Sequence, residues 1–124
     1  MEAYKLKDFS QWAKKKRISD QSLITVVAEM STGLLGDRLG ANIYKKRLKI
    51  DGRGKRGGAR VIVLFKDKDL TLFLYGYLKN ELGNISKNEE QQLRIFANEF
   101  LKLSPGDRAK LRIEGSLIPL QGNI

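Results

Sequence analysis

The 124-residue sequence contains no cysteine, no histidine and only 2 prolines. Without cysteine there is no disulfide, no thiolate metal site and no thiol nucleophile. Without histidine there is no Ser-His-Asp triad, no imidazole ligand and no ordinary acid–base group for neutral pH. No metal site and no cofactor is expected. Acidic residues are also scarce, with Asp+Glu at 14 against Lys+Arg at 24 and a net charge of +10. No segment approaches the ~20 apolar residues of a membrane span, and the opening MEAYKLKDFSQW has no apolar run of signal-peptide length. The expectation is a soluble, cytoplasmic protein with no membrane partner. Internal repeats and Pro/Ser-rich linkers are missing too, so residues 1–124 are read as one domain.

What is present is a core-forming chain, 41% hydrophobic and 31% charged, whose positive surplus calls for a polyanionic partner. Tyr4–Lys7 reads as a short strand, and Ser10 as the N-cap of a helix through Arg17 with Trp12 on its apolar side. A second helix opens at Ser19, with Asp20 in its first turn and Ile18 and Leu23 spaced as a hydrophobic staple. Leu23, Val26, Val27 and Met30 continue it to Gly33, a left-handed stop. The period then changes. Ile43–Ile50, Ala59–Lys66 and Leu70–Lys79 read as an antiparallel meander, joined by a mobile glycine loop, DGRGKRGG at Asp51–Gly58, and a tight KDKD turn. Ser86 and Glu89 form a capping box for a third helix, with Leu93, Phe96, Ala97, Phe100 and Leu101 on one face and Phe96 and Phe100 filling core. Ser104-Pro105, with Asp107 three residues past the cap, opens a last helix that stops at Gly115. Ser116–Leu120 is apolar enough to dock on the body, and Ser104–Ile124 is read as a C-terminal extension. The expected class is α+β, an N-terminal strand and helical hairpin packed on an antiparallel sheet, then C-terminal helices, all on one sheet face.

The positive charge is concentrated. Lys45, Lys46, Arg47, Lys49, Arg53, Lys55, Arg56 and Arg60 are opposed only by Asp51. Strand alternation puts Lys45, Arg47 and Lys49 on one face of their strand, with Tyr44, Lys46, Leu48 and Ile50 on the core side. In the third meander strand Phe73, Tyr75, Tyr77 and Lys79 should share an exposed face, opposite the leucines that pack on helices. Such a cluster is either a solvated edge that discourages strand pairing or a phosphate-binding surface. Arginines among the lysines, tyrosines able to stack on bases and glycines that admit a backbone favour the second. GRGKRGG is not a nucleotide-triphosphate loop, because it lacks the order of that motif and joins two strands.

The run YKKRLKIDGRGKRGGARVIVLFKDKDLTLFLYGYLKNELGNISKNE, in a matching stretch from Ile43 to about Glu90, resembles the RelE/ParE superfamily of bacterial type II toxins, in its RelE-like branch. The ISD at Ile18–Asp20 and the order of the flanking helices agree with it. The resemblance implies a small basic toxin neutralised by a cognate antitoxin, commonly a helix-turn-helix protein. It also implies one of two activities on a single fold: ribosome-dependent mRNA cleavage without metal, or inhibition of DNA gyrase. Lys45, Lys46 and Arg47 match the basic strand of the family, Arg60 the arginine that contacts the scissile phosphate in RNA cutters, and Lys79 the basic end of the last strand. Two tyrosines of the best-known RNA cutters are replaced, by Ala59 before Arg60 and by Ile85-Ser86 near the last helix.

For RNA cleavage the expected catalytic set is Lys46, Arg47, Arg60, Tyr77 and Lys79, with Lys45, Lys49, Arg53, Lys55, Arg56 and Tyr75 binding RNA. Arg47 and Arg60 would hold phosphate oxygens, Lys46 or Lys79 would take the 2′ proton, and Tyr77 would stack on a base or donate a proton. Each assignment has a bland counterpart: Lys46 snorkelling past the core edge, Arg60 paired with Asp51 or Glu81, Tyr75 packing in the core. A toxin-fold protein that only binds nucleic acid or its antitoxin is the third functional alternative.

Overall fold

The computed structural model describes residues 1–50 and 54–122. Ten elements follow one another: β1 (Glu2–Leu6), α1 (Lys7–Lys15), α2 (Asp20–Ser31), β2 (Asp37–Gly40), β3 (Ile43–Ile50), β4 (Gly54–Lys66), β5 (Leu70–Leu78), α3 (Lys87–Leu101), α4 (Pro105–Glu114) and β6 (Leu117–Pro119). The strands form one sheet in the order β2-β3-β4-β5-β1-β6. All pairs are antiparallel except β1 with β5, which runs parallel in the register Glu2↔Leu70 to Lys5↔Phe73. The expected α+β class and the β3-β4-β5 meander are both present.

β4 explains the layering. Its stretch Val61-Ile62-Val63-Leu64-Phe65 is apolar at every position, the pattern of a strand covered on both faces. Val61, Val63 and Phe65 pack under α1 and α2 with Phe9, Leu23, Val27 and Met30. Ile62 and Leu64 point the other way, toward Ala97 and Phe100 of α3. Helices therefore cover both faces of the sheet, not the single face expected. Helical periodicity identifies an apolar stripe but does not say which side of a sheet receives it.

Local signals fix most element ends. The Ser19 hydroxyl accepts from the Ser22 N–H at 3.2 Å, and Gly33, at φ +99°, follows the α2 terminus. The expected capping box of Ser86 with Glu89 is closed, and the Ser104 cap proves to be a second box with Asp107, each worth about 1 kcal/mol. Ser10, in contrast, caps nothing: α1 begins at Lys7, directly out of β1. The Lys7 N–H donates to the Ser116 carbonyl at 3.1 Å, so the C-terminal segment satisfies a first-turn donor that a side-chain cap would otherwise take.

Other boundaries differ for equally local reasons. The segment around Leu117 does dock on the body, as a strand: β6 pairs with β1 from Leu6↔Leu117 to Tyr4↔Pro119. β2 was not foreseen, because DRLG is short, polar and without alternation. β4 starts at Gly54, inside the expected loop, with Gly54 opposite Ile50. Phe96 is more than a third exposed and stacks on Phe100 at 6.1 Å instead of filling core.

A bulge in β5 changes its faces. Ile62 is opposite Tyr75 and Val63 opposite Phe73, so Leu74 is the extra residue. Strict alternation breaks there. Tyr75 and Tyr77 join Leu70, Leu72 and Leu74 on the α3 face, while Phe73 and Leu78 pack under the helical hairpin. The expected separation of a tyrosine face from a leucine face does not occur. Gly76 lies under Trp12, and a Cβ there would fall 2.2 Å from a ring carbon. Gly76→Ala should therefore cost about 1–3 kcal/mol in urea unfolding. In a Trp12→Ala background the same change should cost measurably less, and full additivity would contradict the contact.

Candidate nucleic-acid interface

Sheet register assembles the candidate site on the α3 face. Arg47 in β3 is opposite Arg60 in β4, and Arg60 is opposite Tyr77 in β5, so three strands contribute one continuous row. The neighbouring row is Lys45, Ile62 and Tyr75. The rows grade from solvent to interior: Arg47 is exposed, Lys45 half-buried, and Arg60 and Tyr77 are only 7% and 5% exposed. Lys49 extends the exposed side of β3, and Lys79 stands exposed just past the end of β5, its N–H donating to the Gly58 carbonyl at 3.2 Å.

Two positively charged side chains opposed across adjacent strands repel, which weakens a sheet unless an anion lies between them. The arrangement is suited to phosphate, which offers several oxygens to two guanidinium forks. The Arg60 Nη1 donates to the Ala59 carbonyl at 3.3 Å, which helps to hold its side chain along the sheet. Glu81, one suggested partner for Arg60, is paired instead with Lys16 at 3.3 Å. Asp51, the other, lies outside the described residues.

The tyrosines are packed side by side, with ring centroids 6.2 Å apart. Burial holds the Tyr77 phenol above its ordinary value; the Arg60 charge opposes that rise, while Tyr75 and Asp37 add to it. Tyr75 is raised by burial and, secondarily, by the charge of Glu89. Both phenols are accordingly protonated through the neutral range. Asn84, which the sequence reading passed over, sits at the centre: its Oδ1 accepts from the Tyr77 hydroxyl at 3.1 Å, the Ile85 N–H at 2.9 Å and Lys45 Nζ at 3.5 Å. Its only sequence signal is an amide-bearing residue just before a capped helix, a common feature of turns.

Lys46 does not belong to this constellation. It is on the hairpin face, 8% exposed, where Nζ donates to the Leu34 carbonyl at 2.8 Å and pairs with Glu29 at 3.0 Å. Alternation alone required this, since Lys45 and Lys46 must face opposite ways. Its role is to join the end of α2 to β3. Arg53 lies outside the described residues, and Lys55 and Arg56 are described only as positions in β4. Among the described residues no group of acidic side chains is placed to hold a metal ion, and no helix is long and apolar enough to cross a membrane.

Over residues 1–120 the chain matches the family model described as the RelE toxin of the RelE / RelB toxin-antitoxin system, and it belongs to that family. The match takes in α4 and most of the segment after it, beyond the run that carried the resemblance. Family membership implies an antitoxin as its partner.

The two neighbouring cations should separate cleanly. Lys46→Ala should lose about 1–3 kcal/mol of stability, because it removes a largely buried side chain that donates to the Leu34 carbonyl and pairs with Glu29. Arg47→Ala, one residue on, should change stability by no more than about 0.5 kcal/mol. Thermal or urea unfolding of both variants checks this, and equal losses would contradict the two-faced placement.

Proposed function

We propose that this toxin is a ribosome-dependent mRNA endoribonuclease that blocks translation in the cytoplasm, with a helix-turn-helix antitoxin as its partner. The observation that carries the reading is the placement of Arg47 opposite Arg60, with Tyr77 next in the row. A polyanion is what such a row is suited to bind, and phosphoryl transfer places its developing charge on the oxygens that two arginines would hold.

In the proposed reaction the RNA 2′-oxygen attacks the adjacent phosphorus. The bond from phosphorus to the 5′-oxygen breaks, leaving a 2′,3′-cyclic phosphate and a 5′-hydroxyl. Arg47, exposed, receives the phosphate, and Arg60 beneath it supplies a fixed positive charge. Lys79 at the rim takes the 2′-hydroxyl proton, since Lys46, the other lysine expected as general base, is on the opposite face. Tyr77, protonated at neutral pH, is the proton donor to the leaving oxygen. Lys45, Lys49 and Tyr75 bind the flanking RNA, and Arg53, Lys55 and Arg56 are proposed to bind RNA as well on their charge alone.

Primer extension on a defined mRNA, with and without programmed ribosomes, tests this. Ribosome-dependent cuts should appear and fall about 10²–10³-fold in Arg60→Ala, the usual loss for one transition-state donor. Cuts on naked RNA would remove the ribosome from the mechanism. Growth arrest without cuts would favour gyrase as the target, and normal growth in the absence of antitoxin would favour a binding protein.

A further inference from the structure

We infer that Asn84 is the positioning residue of this site, fixing the hydroxyl of Tyr77 and the ammonium of Lys45 about one oxygen. Three hydrogen bonds converge on its side-chain oxygen. The Ile85 N–H can only donate, so the atom it meets at 2.9 Å must be the amide oxygen and not the amide nitrogen. That settles the direction of the other two. The Tyr77 hydroxyl at 3.1 Å donates its proton to Asn84, and its lone pairs are left facing away. Lys45 Nζ donates from 3.5 Å, the longest of the three.

A carbonyl oxygen has two lone pairs, and here it meets three donors. The backbone N–H is fixed by the start of α3, and the phenol is buried with its ring against Tyr75. Lys45 is the donor on a flexible stem, and its other contact, Asp37, is 3.7 Å away on an exposed side chain. Lys45 is thus the group that can leave for a phosphate without breaking anything buried. Tyr77 is different: its proton reaches a substrate oxygen only if that oxygen replaces Asn84 as acceptor. Asn84 therefore keeps the phenol aligned before substrate arrives and is the group with which the leaving oxygen competes.

The catalytic part of this inference rests on the nuclease reading, and the positioning part does not. The test follows the Tyr77 titration by NMR in protein labelled at the tyrosine Cζ, assigned with Tyr77→Phe. A bond donated by the neutral phenol favours the protonated form. Removing it in Asn84→Ala should lower the Tyr77 midpoint by about 0.5–1 pH, the size of one net hydrogen bond. Asn84→Asp keeps the acceptor and adds a negative charge, so its midpoint should lie above that of the parent. A role confined to holding the turn before α3 would leave the Tyr77 midpoint unmoved in Asn84→Ala, and that result overturns the inference. Should Asn84→Ala not fold, Asn84→Asp decides alone, and a midpoint at or below the parent's overturns it.

In the cleavage assay Asn84→Ala should lower kcat about tenfold with KM nearly unchanged, and Asn84→Asp should recover part of the loss. Titration shifts with unaltered cleavage would confine Asn84 to ordering the phenol and overturn its part in the reaction. Absence of cleavage in the parent protein would reject the nuclease reading and the catalytic part with it, leaving the titration to judge the positioning.

Discussion

Everything in this molecule is arranged around one strand that has no solvent side. β4 lies between β3 and β5 for most of its length, and its apolar residues alternate between two helical layers. Because it is buried on both faces, neither layer can be shifted by one residue without moving a hydrophobic set into the wrong environment. That fixed register is what brings Arg47, Arg60 and Tyr77 into one row. The site is therefore a by-product of core packing: the same pairing that seats Val61 and Ile62 also sets the arginines opposite each other.

Much of this was legible from residues alone. The Ser19, Ser86 and Ser104 caps involve partners within three residues, so short-range chemistry decides them. The meander was equally visible from its β-branched and aromatic runs. The elements that escaped, β2 and β6, owe their conformation to a partner strand far away in sequence or to very short pairing, and carry little signal of their own. The α1 start failed for the same reason, since the group satisfying Lys7 is the carbonyl of Ser116.

The candidate site divides along the same line. Alternation correctly separated Lys45 and Arg47 from Lys46 on β3, because that strand pairs regularly from Ile43 to Leu48. It failed on β5, where Leu74 bulges and carries the tyrosines to the leucine side. The resemblance to known toxins grouped Lys46 with its basic neighbours, whereas the pleat of the strand sends it to Glu29. Asn84 was out of reach altogether, because its meaning lies in the three donors that converge on it.

The pairing of β1 bears on how the chain acquires its shape during synthesis. β1 is flanked by β5 on one side and β6 on the other, and the Leu120 N–H closes onto the Ala3 carbonyl at 3.0 Å. Its first neighbour begins at Leu70 and its second at Leu117. Such contacts close very long loops and form late. A ribosome-bound nascent chain can build the β3-β4-β5 meander while β1 still lacks its outer companion. The sheet is finished only after Leu117–Leu120 has emerged, and until then the outer edge of β1 stays unpaired.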